Sequence, residues 1–388
     1  MKNSTPFYTI LMPCLNEADT LASCLRKAQA GIQEAGVEAE IIVADNGSTD
    51  GSQQIAENFG ARVISVPTKG YGAALMGGIA ASRGQYILMG DADDSYDFGE
   101  IPKFISKIAE GFDLVQGCRL PTGGGKVAPG AMPWSHRWIG NPMFSFMVRT
   151  WFQAPIHDVY CGMRCFTRKL YDSLDQQCTG MEFATEMIIK ASLAKVRISE
   201  VPITLHKDGR VAHPPHLKTF REGWRTLRFY LMYSPRWLFL IPGLGMMLFG
   251  LLCYSVALPG MAIGRIHFDV HTLLYGSVAI FCGYQSFLFA ILAKTYAINT
   301  RLLPADPRFE RLFRYLNLET GSLAGLACLL AGFALLLFGL LNWRHSDYGN
   351  LNYPQTMRIA IPGATLVSIG FQTLLSGFFI SLLGLRRK

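Results

Sequence analysis

The sequence contains no disulfide or zinc framework. Its nine cysteines are scattered, and the closest pair, Cys161 and Cys165, stands at neither a metal-ligand nor a redox spacing. Cys253, Cys282 and Cys328 lie inside apolar runs, so reduced thiols in a cytosolic compartment are expected. Charge is scarce too, at 16% of residues, and thins out sharply after Arg236. No signal peptide is read at the start, because the apolar stretch Phe7 to Met12 is too short for an h-region and runs into Pro13 and Glu17. The formal net charge of +8 comes without a recognised nucleic-acid motif. Much of the excess flanks apolar segments, where basic residues face anionic lipid, so a bilayer and not a nucleic acid is the expected partner.

What is present falls into two halves, and the mean hydropathy of +0.23 averages them. In the first half, apolar strands alternate with helical patterns: Phe7 to Met12, Ile41 to Ala44, Arg62 to Val66, Tyr86 to Met89, Asp113 to Gln116 and finally Val196 to Ile203. Helices are expected between them, for example on the face Leu21, Leu25, Ala28 and Ile32, and over Ile101 to Ala109. Such alternation implies an α/β domain with a doubly wound, Rossmann-like, mainly parallel sheet. From Cys118 to Pro142 the pattern fails. Pro121, the run Gly123 to Gly125, Pro129, Gly130 and Pro133 predict a long irregular loop, read as a lid over the site between Leu120 and Pro133.

Trp134 to Phe152 mixes aromatics with His136, Arg137 and Arg149, like a helix lying on a membrane surface. Leu217, Phe220, Trp224, Leu227 and Leu231 form one apolar stripe, beside the basic stripe Lys218, Arg221, Arg225 and Arg228. That pairing fits an interfacial helix. Four apolar stretches follow, near Leu238 to Leu258, Leu273 to Ala293, Leu323 to Leu341 and Ile359 to Leu385. Each is long enough to span a bilayer, for which about 20 residues suffice. The connection from Lys294 to Thr320 carries Lys294, Arg301, Arg308, Arg311 and Arg314, and the chain ends in Arg386, Arg387 and Lys388. By the positive-inside rule, the first domain and both termini are expected on the cytoplasmic side of a multi-pass protein. The domains expected are therefore 1–215 catalytic, 216–237 interfacial and 238–388 transmembrane.

The chemistry concentrates behind the strand Tyr86 to Met89. Gly90 ends it, and Asp91, Asp93, Asp94 and Asp97 follow at once. Carboxylates crowded at the carboxyl end of a parallel strand repel one another unless a cation sits among them, and in open α/β sheets that end is where ligands bind. Oxygen ligands of this kind suit Mg²⁺ or Mn²⁺ shared with substrate phosphates. A solvated acidic turn leading into the helix near Glu100 would carry the same residues.

Five motifs in order and register then make the first half recognisable: Pro13-x-x-Asn16-Glu17, Asp45 to Asp50, Lys69-Gly70, Asp91-x-Asp93 and Gly117-x-Arg119. Together they resemble a family 2 inverting glycosyltransferase of GT-A fold. With the membrane half, the resemblance is to polyprenyl-phosphate glycosyltransferases of the dolichyl-phosphate mannose or glucose synthase type. It implies transfer of a hexose from a nucleotide sugar, of the UDP-glucose or GDP-mannose type, to a polyprenyl phosphate. It further implies that Pro13, Asn16, Glu17, Asp45, Gly47, Ser48, Lys69 and Gly70 hold the nucleotide. Asp91 and Asp93 would hold the metal, with Ser95 a candidate third ligand where the family often has Leu-Gln. Lys69 and Arg119 would steady the departing diphosphate. Two anions must meet, so the acceptor phosphate needs cations as well; the candidates are Arg137, Arg149, Arg164, Lys207 and Arg210. A processive or glycolipid-forming family 2 enzyme, or an inactive membrane scaffold, would carry much of the same sequence. Short apolar spans also suggest a homodimer or tetramer.

Overall fold

The structure is a computed structural model and describes residues 7–210, 219–300, 302–304, 306–309, 311 and 318–384. The chain forms two compact units, Met1–Phe229 and Tyr230–Lys388. The first is built on a seven-stranded sheet. Its strands are β1 (Phe7–Cys14), β2 (Glu38–Asp45), β3 (Arg62–Ser65), β4 (Tyr86–Met89) and β5 (Leu114–Cys118), then, after a two-residue strand β6 (Lys126–Val127), β7 (Arg164–Thr167) and β8 (Ile198–Pro202). Their order is β3-β2-β1-β4-β7-β5-β8, and only β7 runs antiparallel to its neighbours. The order turns back between β1 and β4, which makes the crevice past their carboxyl ends the natural ligand site.

Ile10, Leu11, Met12, Ile42, Val43, Leu88 and Met89 are wholly buried, as continuous apolar strands covered on both faces must be. Burying each such large side chain is worth roughly 1.5–3 kcal/mol. The helices cover the sheet with one apolar face each. In α1 (Leu21–Ala35) the buried residues are Leu21, Cys24, Leu25, Ala28 and Gly31, at the spacing of one helical face, and Gly36 ends the helix in the left-handed region. After α2 (Ser52–Asn58) comes α3 (Tyr71–Ala81), whose small residues let it lie close against β1 and β2. Pro102 stands in the first turn of α4 (Ile101–Ala109), where its missing N–H costs nothing.

Two expectations need correction here. Strand β7 is absent from the sequence reading, because Arg164-Cys165-Phe166-Thr167 has neither length nor alternation. Its place is set by partners far away in sequence, with Leu88 opposite Cys165 and Val115 opposite Cys165 on the other side. The stretch Cys118 to Pro142 is also less irregular than its composition suggests. Strand β6 pairs with β9 (Thr204–Leu205), and Lys126 and Ala128 donate to the carbonyls of Ile203 and Leu205. Gly124 and Gly125 close a turn on Pro121 and Leu120. The middle of the expected lid is thus pinned to the domain by main-chain hydrogen bonds.

The chain then continues into α5 (Asn141–Phe152), α6 (Arg168–Leu174), α7 (Glu182–Leu193) and α8 (Thr219–Tyr233). Phe144, Val148 and Phe152 of α5 are buried, whereas Trp138, Ile139, Met143 and Phe146 in and just before it are exposed. That two-sided pattern agrees with a surface-lying helix. In α8 Trp224 is exposed; Leu217 and Lys218, and the side chains of Phe220 and Arg221, lie outside the described residues.

The second unit contains α9 (Ile241–Ala257), α10 (Val270–Asn299), α11 (Leu318–His345) and α12 (Tyr353–Gly384). Four segments, Arg236–Ala257, Val270–Asn299, Glu319–His345 and Tyr353–Leu383, are long and apolar enough to cross a membrane, with mean hydropathies of 1.9, 1.7, 2.5 and 1.8. Glycines let the backbones meet, Gly243 with Gly283 and Gly250 with Gly276 between α9 and α10. Hydroxyls bond across the helices: Tyr254 with Ser277 at 2.6 Å, and Tyr284 with Thr373 at 2.6 Å. Arg301, Arg314 and Arg386 to Lys388, invoked for orientation, lie outside the described residues.

Candidate active site

All five sequence motifs stand at the carboxyl edge of the sheet. Asp45 closes β2 and turns its carboxylate back into its own loop. It accepts from the main-chain N–H groups of Gly47 and Ser48, both at 3.1 Å, and from Gln53 Nε2 at 2.6 Å. Burial alone would push Asp45 up, but the hydrogen bonds from Ser48, Gln53 and Gly47 outweigh it and hold the carboxyl below its ordinary 3.8. The loop after β1 is zipped to this one. Asn16, at φ 58°, donates its N–H to Ser48 Oγ at 2.9 Å and accepts from Thr49 N–H at 2.8 Å. Asn46 ties in the loop after β3, its Nδ2 donating to the carbonyls of Val66 and Thr68 and its Oδ1 accepting from Gly70 N–H.

Lys69 extends across these loops, and Nζ donates to the Asn46 carbonyl at 2.5 Å. Gly47 is where the lysine passes, since a Cβ there would lie 2.3 Å from Nζ. Gly70, at φ 136°, is pressed from the other side, and a Cβ would meet the Thr179 carbonyl oxygen at 2.4 Å. No other residue fits both the dihedral and the space.

The four carboxylates after β4 separate into two kinds. Asp94 belongs to α1, accepting from Lys27 Nζ at 2.9 Å and Ser23 Oγ at 3.1 Å. Asp97 accepts from Gly99 N–H and caps the short turn Phe98–Glu100. That leaves Asp91 and Asp93 as the candidate metal carboxylates of the turn. Asp91 Oδ1 accepts from the Tyr71 hydroxyl at 2.8 Å, and its carboxyl is raised to about 7, first by burial and then by the neighbouring Asp93. Asp93 Oδ1 accepts from the N–H and the Oγ of Ser95, at 3.1 and 2.6 Å, so Ser95 orients Asp93. Two close carboxylates, one reluctant to ionise beside the other, suit a divalent cation that keeps water and phosphate oxygens as its other ligands. Among the described residues no group of three or more His, Cys, Asp or Glu could hold a metal alone.

Arg210 faces the same carboxylates. Its Nε donates to both Glu17 oxygens at 3.0 and 2.9 Å, and Nη2 to Glu17 Oε1 at 2.5 Å. Nη2 stands 3.5 Å from Asp93 Oδ2, and Nη1 3.1 Å from Asp208 Oδ2. Arg210, expected among the acceptor cations, is thus held against the carboxylates of the loops after β1 and β4.

Arg119, just past β5, is buried and paired. It clamps Asp158 with Nε to Oδ2 at 2.7 Å and Nη2 to Oδ1 at 2.9 Å, and its own N–H adds a third bond at 3.0 Å. Nη1 turns to the Tyr96 hydroxyl at 3.3 Å, which also accepts from Gly162 N–H. Asp158 is wholly buried and carried no signal in the sequence, lying 39 residues from Arg119 in an irregular segment.

The remaining acceptor candidates differ in exposure. Arg149 and Lys207 are exposed. Arg137 is half-buried, its guanidinium 5.2 Å from the Trp138 ring. Arg164 is corrected outright: it is 0% exposed on β7 and donates to the carbonyls of Ala184 and Cys161 at 2.6 and 2.8 Å. Burial lowers its pKa, and Tyr71 and Asp91 are among the groups whose field it feels. It backs the acidic turn from inside.

Residues 9–175 match glycosyl transferase family 2, and residues 291–384 match the glycosyltransferase family 2 C-terminal transmembrane region. The chain is 35% identical over 385 residues to the low-salt glycan biosynthesis hexosyltransferase of Haloferax volcanii, covering 98% of this chain and 89% of that one. It is 33% identical over 166 residues to the dolichyl-phosphate hexose transferase of the same organism, covering 42% and 69%. A solved structure of glucosyl-3-phosphoglycerate synthase from Mycobacterium tuberculosis shares 21% identity at a TM-score of 0.44, over 58% of this chain and 78% of that one, a likeness too distant to argue from.

Proposed function

The chain is an integral membrane glycosyltransferase of family 2 with that family's C-terminal transmembrane region, and we propose that it transfers a hexose from a nucleotide sugar to the phosphate of a polyprenyl lipid. The observation that carries this reading is the pairing, in one chain, of Asp91 and Asp93 at the sheet's turning point with four membrane-length helices. The relatives named hexosyltransferase and dolichyl-phosphate hexose transferase support it.

The donor is a UDP-glucose or GDP-mannose type of sugar nucleotide, held by Pro13, Asn16, Glu17, Asp45, Gly47, Ser48 and Gly70. Asp91 and Asp93 would hold Mg²⁺ or Mn²⁺, which would supply neutralising charge for the departing nucleoside diphosphate. Tyr71 orients Asp91, and Ser95 orients Asp93. Lys69 meets the diphosphate, where a fixed positive charge stabilises what develops as the bond to the anomeric carbon breaks. Asp158 is a positioning residue that fixes the Arg119 guanidinium beside Tyr96. A lipid phosphate is already an anion at neutral pH, so its oxygen attacks the anomeric carbon without a dedicated base, and single displacement inverts that centre. Arg137, Arg149 and Lys207 are the acceptor-side cations. Residues 1–215 form the catalytic domain, 216–237 the interface and 238–388 the membrane part. The basic connection after Lys294 sets the catalytic domain and both termini in the cytoplasm.

Purified protein in nanodiscs, given UDP- and GDP-hexoses with Mg²⁺ or Mn²⁺ and a polyprenyl phosphate, is expected to yield a polyprenyl phosphohexose of inverted anomeric configuration. Sugar appearing on a diacyl lipid or a growing glycan, with the polyprenyl phosphate untouched, refutes the reading.

A further inference from the structure

One of the chain's own cations already stands against the acidic turn. Arg210 holds Glu17 with the Nε–Nη2 edge of its guanidinium, Nη2 also reaches Asp93, and Nη1 reaches Asp208. Other nearby cations are engaged elsewhere: Lys27 on Asp94, Arg119 on Asp158, and Lys69 on the Asn46 carbonyl. Glu17 is only 6% exposed, so it would be costly to leave as an unpaired anion. The segment bearing Arg210 is fastened to that turn, since His206 N–H donates to the Ser95 carbonyl at 2.9 Å and Gly209 N–H to the Asp93 carbonyl at 3.0 Å.

We propose that Arg210 is a placeholder for the divalent cation in the donor-free enzyme, and that it moves onto the donor diphosphate when metal and nucleotide enter together. The inference rests on the metal and nucleotide roles proposed above. A guanidinium cannot lose its proton, so Arg210 vacates Asp93 only by swinging away. A metal ion arriving alone meets a fixed positive charge a few ångströms off and no new partner for it. A nucleoside diphosphate supplies that partner, and the side chain exchanges one set of oxygens for another while the 206–210 main chain stays in place. Metal binding thereby becomes conditional on nucleotide, which keeps the acidic turn from loading a cation with no donor to use it. Glu17 takes part as the parking site of the arginine, in addition to any contact with the nucleoside.

The test is equilibrium binding of Mn²⁺ to the full chain in nanodiscs, read by the electron paramagnetic resonance of free Mn²⁺, with and without saturating UDP or GDP. In the wild type, nucleotide is expected to tighten Mn²⁺ binding by about tenfold or more, the usual size of coupling between two sites. Arg210→Gln is expected to bind Mn²⁺ alone about tenfold tighter than the wild type and to lose most of the nucleotide dependence. Glu17→Gln/Arg210→Gln removes both charges with little change of shape, so it guards against a single variant that fails to fold. It too should bind Mn²⁺ alone more tightly than the wild type. If wild-type coupling is present but neither variant gains affinity for metal alone, the placeholder role is overturned while the metal reading stands. If the wild type binds no Mn²⁺ even with either nucleotide saturating, the metal reading falls and this inference with it.

Discussion

Removing the Asp158 carboxylate tests how the buried half of the site is held. The side chain is wholly buried and receives three hydrogen bonds from Arg119, at 2.7, 2.9 and 3.0 Å. Asp158→Ala leaves the guanidinium with the Tyr96 hydroxyl at 3.3 Å as its remaining side-chain partner. Breaking a buried ion pair from one side costs about 3–5 kcal/mol, because the surviving charge is stranded. For a unit of this size that corresponds to a fall in Tm of roughly 6–20 °C, at about 2–4 °C per kcal/mol. The control is Arg119→Met/Asp158→Leu, which removes both charges and fills the space. It should recover most of the stability, because paired burial of charge gains little over apolar packing. Tryptophan-fluorescence melts of the full chain, together with hydrogen exchange of the β5 amides, read both variants. A single variant melting within about 2 °C of the wild type, or a double variant as damaged as the single, would refute the account of Arg119 as a cation held by Asp158.

Three further outcomes follow from the site. Asp93→Ala should keep the fold and lower turnover by about 10²–10³, the usual scale for deleting one preorganised electrostatic group, and chelation should do the same to the wild type; activity surviving both would reduce the Asp turn to a solvated loop. Hydrogen bonds hold Asp45 below 3.8 in the folded state, so its contribution to stability is full above that value and is lost as pH falls through the lower folded value. Asp45→Asn should therefore be less stable than the wild type at about pH 7, with the gap closing toward about pH 3, and a gap that does not depend on pH would contradict this. Gly70→Ala would force a left-handed dihedral and a clash with the Thr179 carbonyl, costing about 1–3 kcal/mol and weakening nucleotide affinity, which isothermal titration with UDP or GDP would detect.

The parts legible in the sequence are those whose cause is local. The four membrane helices were readable because length and hydropathy are properties of a continuous run. Strands β1 to β4 along the chain were readable from their apolar runs, and the position of Asp91 because Tyr86 to Met89 is apolar without interruption and Gly90 ends it. Division of labour among the carboxylates was not. Asp94 is claimed by Lys27 and Ser23 of a helix formed some 70 residues earlier, and no spacing rule announces that. Asp158 and strand β7 were invisible for the same reason, since each acquires its role from a partner supplied by the folded sheet.

Arg164 and Arg210 mark the boundary most clearly. As letters they are two basic residues in segments of similar composition, and both were read as cations for an acceptor. Charge and approximate neighbourhood are all that the chain's own order determines about them. Tertiary structure decided the rest: β7 carries Arg164 inside the sheet, where the carbonyls of Ala184 and Cys161 receive it. The bond from Gly209 N–H to the Asp93 carbonyl helps bring Arg210 back across 193 residues to Glu17. The physical reason is that a charge acts through distance and dielectric. Both are fixed by packing between elements remote in sequence, whereas hydropathy and strand pattern are fixed by the residues themselves.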